Sequence, residues 1–143
     1  MSWTSESGKA GFTSGEPFRA LSANYRDNNA AHQMHDPKSL WSFYRDVIGL
    51  RHKHAALRVG HYGHVQHDGW MMSFQRSTPR ERMVGVFNYH DEPARWILND
   101  LPAGAEIRRI WPAYQEDLKA SDKGTLPLMV PGTSFAVFEV VQP

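Results

Sequence analysis

The sequence predicts a mainly β protein, an antiparallel Greek-key β-sandwich preceded by a long loop and one amphipathic helix. One observation behind this prediction is that helical spacing of apolar residues ends near residue 60. Another is that seven short runs rich in Val, Ile, Phe, Tyr and Trp follow, separated by turn residues as in a sandwich. A third is that 143 residues with 41% hydrophobic content can form one ordinary core.

The predicted helix begins at Pro37 and ends between residues 54 and 57. Asp36 is placed to cap its start, with Pro37 at the first helical position. The cationic residues 51–53 lie near its end, where the helix dipole favours positive charge. Apolar side chains recur at helical spacing along one side: Leu40, Phe43, Tyr44, Val47, Ile48 and Leu50.

Strands are predicted throughout the second half of the chain. Asp68-Gly69 predicts a hairpin with a type I′ turn, because that turn needs positive φ at both central positions. Pro131-Gly132 predicts a second turn, and residues 112–125 are expected to form the longest loop. The predicted strands are residues 61–65, 70–76, 83–89, 95–98, 107–111, 126–130 and 135–141.

The chain divides into two predicted domains, residues 1–59 and residues 60–143. Residues 1–35 carry many turn formers and little periodicity, so a long irregular segment is expected there. The apolar side of the helix is wide for one sandwich to cover. We therefore expect the first region to pack poorly by itself, and its uncovered helix face to mark an interface with another surface.

Composition and charge exclude several classes of protein. Sixteen Lys and Arg against fifteen Asp and Glu give a net charge of +1, so no nucleic-acid partner is expected. No apolar stretch is long enough to span a bilayer, and the start lacks signal-peptide features, so we expect no membrane partner and a cytoplasmic location. The absence of cysteine excludes disulfides, thiolate zinc sites and cysteine nucleophiles.

The eight histidines raise the question of a metal site. A zinc site needs three or four converging ligands with supporting partners, and no carboxylate lies at ligand spacing here. We therefore expect solvated histidines at a helix end and on an edge strand, and no metal ligand. The histidines considered are His52, His54, His61, His64 and His67.

Three His-Asp pairs resemble parts of a catalytic constellation, but each has a structural explanation. Asp36 is expected to cap the helix, Asp68 to open a hairpin turn, and Asp91 to follow a strand beside Pro93. No nucleophilic serine elbow and no phosphate-binding glycine loop occurs. The pairs are His35-Asp36, His67-Asp68 and His90-Asp91.

The aromatic residues leave two interpretations open. Trp41, Trp96 and Trp111 lie within or beside apolar runs, so core packing is expected for them. Exposed rings such as Trp70 or Tyr114 could instead stack on sugars, as in a carbohydrate-binding module. Contact with a carbohydrate is therefore an alternative role for the sandwich.

Short motifs occur in a fixed order along the first half of the chain. They are Ala10-Gly11-Phe12-Thr13, Pro17-Phe18, Asn24-Tyr25, Asn29, Gln33, Asp36-Pro37-Lys38-Ser39-Leu40, Phe43-Tyr44-Arg45, Leu50-Arg51, His54-Ala55-Ala56-Leu57 and Gly60-His61-Tyr62. In this order they resemble the C-terminal end of the oligo-1,6-glucosidase and α-glucosidase branch of the α-amylase family of glycoside hydrolases. Beyond residue 65 the similarity rests on the strand pattern and on Val86-Phe87-Asn88-Tyr89.

The resemblance implies that residues 3–35 are the loop after the last strand of a (β/α)₈ barrel, and that residues 39–57 are the last barrel helix. It also implies a parent enzyme that hydrolyses α-glucosidic bonds of short oligosaccharides with retention, using two carboxylates. In the family these acids follow earlier barrel strands. Here Phe18-Arg19 is followed by Ala20, not by the family's nucleophile pattern, so no catalytic residue is carried over to this chain.

Three functions remain open at this point. The chain can be a part of an α-glucosidase-like enzyme that is not catalytic alone and whose helix face contacts the missing barrel of the parent enzyme. It can instead be a carbohydrate-binding sandwich with weak contact to an α-glucan, or an assembly element that self-associates through its helix face. No catalytic, cofactor-binding or metal-binding residue and no cofactor is predicted.

Overall fold

The computed structural model describes residues 2–114 and 116–141. Its contacts group into two compact units that divide between Arg51 and His52. This division does not test the predicted domain boundary at residues 59 and 60, which stays a prediction. Among the described residues, no helix combines the length and the apolar character needed to cross a bilayer.

The first unit contains a short helix, α1, at Ala30–His35. The buried Asn29 caps it, since its Oδ1 accepts the His32 N–H at 3.1 Å. Its Nδ2 donates to the carbonyls of Tyr25 and Arg26 at 3.0 and 2.9 Å. The expectation of an irregular segment over residues 1–35 is therefore wrong for this helix, because a single asparagine satisfies both the helix start and the preceding turn.

The long helix, α2, spans Leu40–Lys53 and confirms the predicted amphipathic helix. The prediction that Asp36 caps it is wrong. Asp36 ends α1, and its carboxylate accepts the Lys38 N–H at 2.8 Å, so Asp36 and Pro37 belong to the turn between the helices. Ser39 takes the capping role, because its Oγ accepts the Ser42 N–H at 3.1 Å.

A further short helix, α3, follows at Ala55–Val59. His54 separates it from α2 with an extended backbone, φ −108° and ψ 115°. The prediction of one helix ending between residues 54 and 57 is therefore wrong in detail. The helix is interrupted at His54, and α3 packs against two strands of the sheet that follows.

The second unit contains two antiparallel sheets, as predicted. The larger has the order β1-β2-β3-β8-β5-β6, and the smaller pairs β4 with β7. The chain alternates between the sheets, and β8 inserts between β3 and β5. The strands are β1 His61–Asp68, β2 Met71–Thr78, β3 Glu81–Asn88, β4 Ala94–Leu98, β5 Glu106–Trp111, β6 Leu118–Lys119, β7 Leu126–Val130 and β8 Ser134–Val141.

All seven predicted strands are present, and β6 is additional. The hairpin after β1 is also present, but its turn is shifted by one residue. Asp68 pairs with Met71, so Gly69 and Trp70 are the central residues. Only Gly69 has a positive φ, of 52°, which is the pattern of a type II′ turn and corrects the predicted type I′ turn.

The core lies between the two sheets. It is built from alternate residues of both sheets together with small residues of the connecting loops. Asn88 closes one end, where its Nδ2 donates to the carbonyls of Glu92, Val130 and Pro131 at 2.9, 3.2 and 3.1 Å. The buried apolar residues are Met71, Val84, Val86, Trp96, Leu98, Leu101, Ala105, Ile107, Ala120, Leu126, Leu128, Val130, Ala136, Phe138 and Val140.

The opposite face of the larger sheet carries a row of aromatic rings. Phe74, Phe87 and Phe135 stack in sequence with ring centroids 5.6 Å apart, and Trp111 stacks on Phe135 at 6.4 Å. Neighbouring planes differ by 11° to 23°. The ring faces of neighbouring residues therefore pack against one another from strand to strand.

Candidate functional site

The second unit has a cleft of about 1050 Å³ beside β5 and β6. β6 is only two residues long, so the edge of the sheet is short here and the loop before β6 forms one wall. The cleft is lined by Pro102, Ala103, Gly104, Ala105, Glu106, Ile107, Arg108, Arg109, Ala113, Tyr114, Glu116, Asp117, Leu118, Lys119 and Val141.

Ion pairs hold the polar wall of this cleft. The Arg109 Nη2 lies 3.0 Å from the Glu116 Oε2, and its guanidinium sits 5.3 Å from the centroid of the Phe138 ring. Arg108 lies 3.2 Å from Glu139 and 3.6 Å from Glu106. The described residues provide no hydrogen-bond partner for the buried Nε of Arg109. The same holds for the buried Glu116 Oε2, so charge attraction and not a well-aligned hydrogen bond holds this pair.

A second cluster of titratable groups joins α3 to the start of β3. The His54 Nδ1 lies 2.7 Å from one Glu81 oxygen, and the other oxygen accepts the Ala56 N–H at 2.6 Å. Burial alone would raise the pKa of Glu81, but hydrogen bonds from Ala56 and His54 outweigh it and hold that pKa below its ordinary value. The cluster anchors the N-terminus of α3.

His54 corrects the prediction of solvated histidines, because it is buried against Glu81. The other four histidines considered as ligands, His52, His61, His64 and His67, are exposed as predicted. Within residues 2–114 and 116–141, no three His, Cys, Asp or Glu side chains converge as a metal site would require.

The His-Asp pairs occupy structural positions. The first lies at the end of α1 and the second at the end of β1. In the third, the His90 Nδ1 lies 3.1 Å from an Asp91 oxygen, and both side chains are exposed. The His90 Nδ1 also accepts the Glu92 N–H at 3.0 Å. This places the third pair in the turn after β3.

The tryptophans divide between core and surface. Trp96 is buried and donates from Nε1 to the Ser73 Oγ at 3.0 Å, which confirms its predicted core role. Trp41 and Trp111 are only half-buried. Trp70 and Tyr114 are 65% and 67% exposed, and of these two rings only Tyr114 lines the cleft.

The cleft is the part of the site that sequence reasoning missed. Tyr114 was singled out as an exposed aromatic residue, whereas Arg109 and Glu116 were not considered. One signal was present: two adjacent arginines within a predicted strand precede the acidic pair Glu116-Asp117 in the longest loop. Opposite charges on a strand and its following loop favour a local ion pair.

The first unit offers a different feature, an exposed apolar side of α2. Leu40, Tyr44 and Ile48 are 64%, 57% and 51% exposed, and Phe43 is 38% exposed. These residues follow the helical spacing on which the helix was predicted. An apolar stripe of this kind marks a contact surface.

Comparisons with known proteins agree with these features. The family model of the alpha-amylase catalytic domain matches residues 1–60. An alpha-glucosidase from Pediococcus pentosaceus is 29% identical over 63% of this chain and 16% of its own length. An oligo-1,6-glucosidase from Parageobacillus thermoglucosidasius is 28% identical over 70% of this chain and 18% of its own length.

Solved structures show the same relationship for nearly the whole chain. The trehalulose synthase MutB from Pseudomonas mesoacidophila MX-45 superposes with a TM-score of 0.75 at 29% identity. The match covers 98% of this chain and 24% of MutB. The chain thus spans less than a quarter of the length of MutB and about a sixth of the length of the two curated relatives.

The resemblance predicted from the ordered motifs is confirmed by these matches. It holds for the first half, through the family model, and for the sandwich, through the structural match. The chain is therefore a part-length relative of the α-glucosidases and oligo-1,6-glucosidases within the α-amylase family of glycoside hydrolases.

Proposed function

We propose that this chain is a non-catalytic part of an α-glucosidase-like glycoside hydrolase. The complete enzyme would hydrolyse α-glucosidic bonds of short oligosaccharides with retention, using two carboxylates about 5 Å apart. The chain would brace the barrel that carries those carboxylates. The single observation that carries this proposal is the exposed apolar side of α2 in a chain related to these enzymes.

The exposed side of α2 fits one occupant, the rest of a (β/α)₈ barrel. The family model of a catalytic domain matches the residues that include α2. In such a barrel the outer helices pack against the strands and against neighbouring helices. Burying side chains such as Leu40 and Ile48 contributes roughly 1.5 to 3 kcal/mol each. Several of them together can hold two parts of one enzyme in contact.

The acidic groups of the cleft support the non-catalytic part of the proposal. Glu116 and Glu106 are engaged by Arg109 and Arg108, at 3.0 and 3.6 Å. A retaining glycosidase needs one carboxylate free to attack the sugar and another to exchange a proton. A carboxylate paired with an arginine is less available for either role, while its remaining lone pairs can still accept hydrogen bonds from hydroxyl groups.

The first test is turnover by the purified chain on an aryl α-glucoside. We expect none above the level of a mock purification. Turnover that is abolished by Glu116→Gln or Asp117→Asn would mean that the chain is catalytic and would overturn the proposal. Turnover that both variants retain would identify a host contaminant, and the expected result would then have to be obtained from a host without α-glucosidase.

The second test is complementation. The oligo-1,6-glucosidase of Parageobacillus thermoglucosidasius would be produced without the segment that matches this chain, and the two proteins mixed. We expect a complex in sedimentation velocity and a gain of glucosidase activity. Ile48→Gln should weaken the complex about tenfold or more, because it places a polar group in the contact.

Lys53→Gln is the matched control, because Lys53 is exposed and lies on the side of α2 opposite the apolar stripe. It should change the affinity less than twofold. A chain that forms dimers dissociated by Ile48→Gln, with no complex with the barrel, would assign α2 to self-association and contradict the proposal.

A further inference from the structure

We propose that the cleft beside β5 and β6 is a binding site for a neutral α-linked oligosaccharide of two or three sugar rings. The site is separate from any barrel active site. It rests on the proposed function only for the choice of an α-linked sugar. Its location follows from the shape, lining and charge of the cleft.

The size of the cleft fits such a ligand. Its volume of about 1050 Å³ lies at the upper end of the range of small-molecule pockets. It is open along one side, so an extended ligand can lie in it with both ends in solvent. A single hexose would leave most of this space filled with water.

The apolar part of the lining matches the C–H faces of sugar rings. Small or aliphatic side chains with solvent-accessible surface form the floor, among them Ala103, Ala113 and Leu118. Tyr114, 67% exposed, stands at the rim, where its ring can cover one sugar face. An aromatic ring above an apolar surface favours a ligand with flat apolar faces and polar edges, such as a sugar ring.

The charged part of the lining selects a neutral ligand. Three basic side chains line the cleft, Arg108, Arg109 and Lys119. Three acidic ones balance them, Glu106, Glu116 and Asp117. The three carboxylates would repel a phosphate or another anion, and the three basic groups would repel a cation. Hydroxyl groups can donate to the carboxylates and accept from the cations, so a polyol uses both kinds.

The aromatic row on the outer face of the larger sheet is a weaker candidate for this role. Its rings stack on one another, with planes 11° to 23° apart, so their faces are already used. A sugar would meet ring edges there. Tyr114, by contrast, has no ring partner among the residues that the structure describes.

The test is a titration of the full ¹⁵N-labelled chain with isomaltotriose, followed by two-dimensional NMR. We expect saturable shifts confined to the residues that line the cleft, with a millimolar dissociation constant. Tyr114→Ala should weaken binding about fivefold or more, through loss of the stacked ring. Glucose 6-phosphate, an anionic probe, should bind more weakly than isomaltotriose.

Tyr89→Ala is the matched control, because Tyr89 is similarly exposed, at 62%, and does not line the cleft. It should leave the affinity within twofold. Shifts that do not saturate up to about 50 mM, a concentration far above a millimolar constant, would overturn the proposal. Shifts that map outside the cleft, or equal loss in both variants, would also overturn it. Neither outcome bears on complementation through α2, so the two proposals can fail independently.

Discussion

Glu81 provides the N-terminal cap of α3, which the residues next to the helix do not provide. α3 has no side-chain cap of its own, and His54 at its N-terminus makes no capping hydrogen bond. The Glu81 carboxylate supplies both a charge and an acceptor from a distant strand, 2.6 Å from the Ala56 N–H. The negative charge also lies at the positive end of a helix, which stabilises it.

Substituting Glu81 should therefore destabilise the second unit. We expect Glu81→Gln to lower the free energy of unfolding by about 1–2 kcal/mol, because the amide has one acceptor oxygen where the carboxylate has two. Urea denaturation followed by tryptophan fluorescence measures the change. Glu92→Gln, at an exposed site, is the control and should shift stability by less than about 0.5 kcal/mol. Equal effects would contradict this role.

The same residue predicts an acid dependence. Folding lowers the pKa of Glu81 from its ordinary value of 4.5, so the folded state holds the proton less tightly than the unfolded state. Its contribution is fully present above pH 4.5 and is lost as pH falls through the lower, folded-state pKa. Melting temperatures measured from pH 6 downward should fall less in Glu81→Gln than in the wild type. Parallel curves would be the contrary result.

Asn88 is a second residue whose side chain organises backbone. Its amide donates to three carbonyls and its oxygen accepts the His90 N–H at 3.0 Å, in a buried position. Asn88→Asp removes the donors and places a carboxylate against carbonyl oxygens. We expect a loss of more than about 3 kcal/mol at neutral pH, partly recovered at acidic pH. Asn99→Asp, half-buried, should cost less in the same denaturation assay.

Among the elements, the loops decide more than the strands about which substitutions are tolerated. Gly124 has φ of 70°, and a Cβ there would meet the carbonyl oxygen of Leu101. Gly69 also has a positive φ, of 52°, but a Cβ there would meet open space. The two glycines share a conformation and differ in their surroundings.

Replacing Gly69 and Gly124 by alanine separates two effects on stability, the cost of a left-handed backbone and the cost of a steric clash. We expect Gly69→Ala to lower the free energy of unfolding by about 1 kcal/mol, the usual cost of a left-handed residue with a side chain. Gly124→Ala should cost at least about 2 kcal/mol more, because the loop must move away from Leu101. Thermal unfolding of both variants measures this difference. Equal losses would show that the loop accommodates a methyl group.

Elements with a strong repeating pattern were predictable. α2 and the seven longer strands follow from apolar spacing, which depends only on local geometry and one buried face. β6 was not predictable, since two residues carry no pattern. The capping role of Asp36 was wrong because Asp36 and Ser39 are both good caps, and only the turn after α1 decides between them.

The cleft was not predictable for a related reason. Its walls come from β5, β6 and the loop between them, and the ion pair of Arg109 with Glu116 depends on how that loop folds back. Sequence spacing does not report this. His54 was predicted to be solvated for the same reason, because its partner Glu81 lies 27 residues away.

For the whole molecule, the two units differ in the kind of residues that they bury. In the first unit the buried side chains are small or polar: Ala10, Asn29, Ala30, Ser39 and Ser42. In the second unit they include Phe138, Met83, Leu98 and Ile107. The second unit therefore holds most of the apolar burial that stabilises a fold.

Hydrogen exchange should reveal this difference. We expect backbone amides of residues 2–29 to exchange about a hundredfold faster or more than those of β3 and β8, because local opening there exposes little apolar surface. Mass spectrometry of peptides after timed labelling measures it. Binding of a barrel through α2 should slow exchange in the first unit and leave β3 and β8 unchanged. Uniform protection across both units would contradict the expectation.

The position of β8 has a consequence for synthesis of the chain. β3 and β5 both pair with β8, which is translated after them. Until β8 has emerged from the ribosome, the edges of β3 and β5 that it covers have no partner, and an emerged edge can pair with a neighbouring nascent chain. Cells that make this protein on crowded polysomes should therefore need a chaperone to shield those edges until β8 has paired with them.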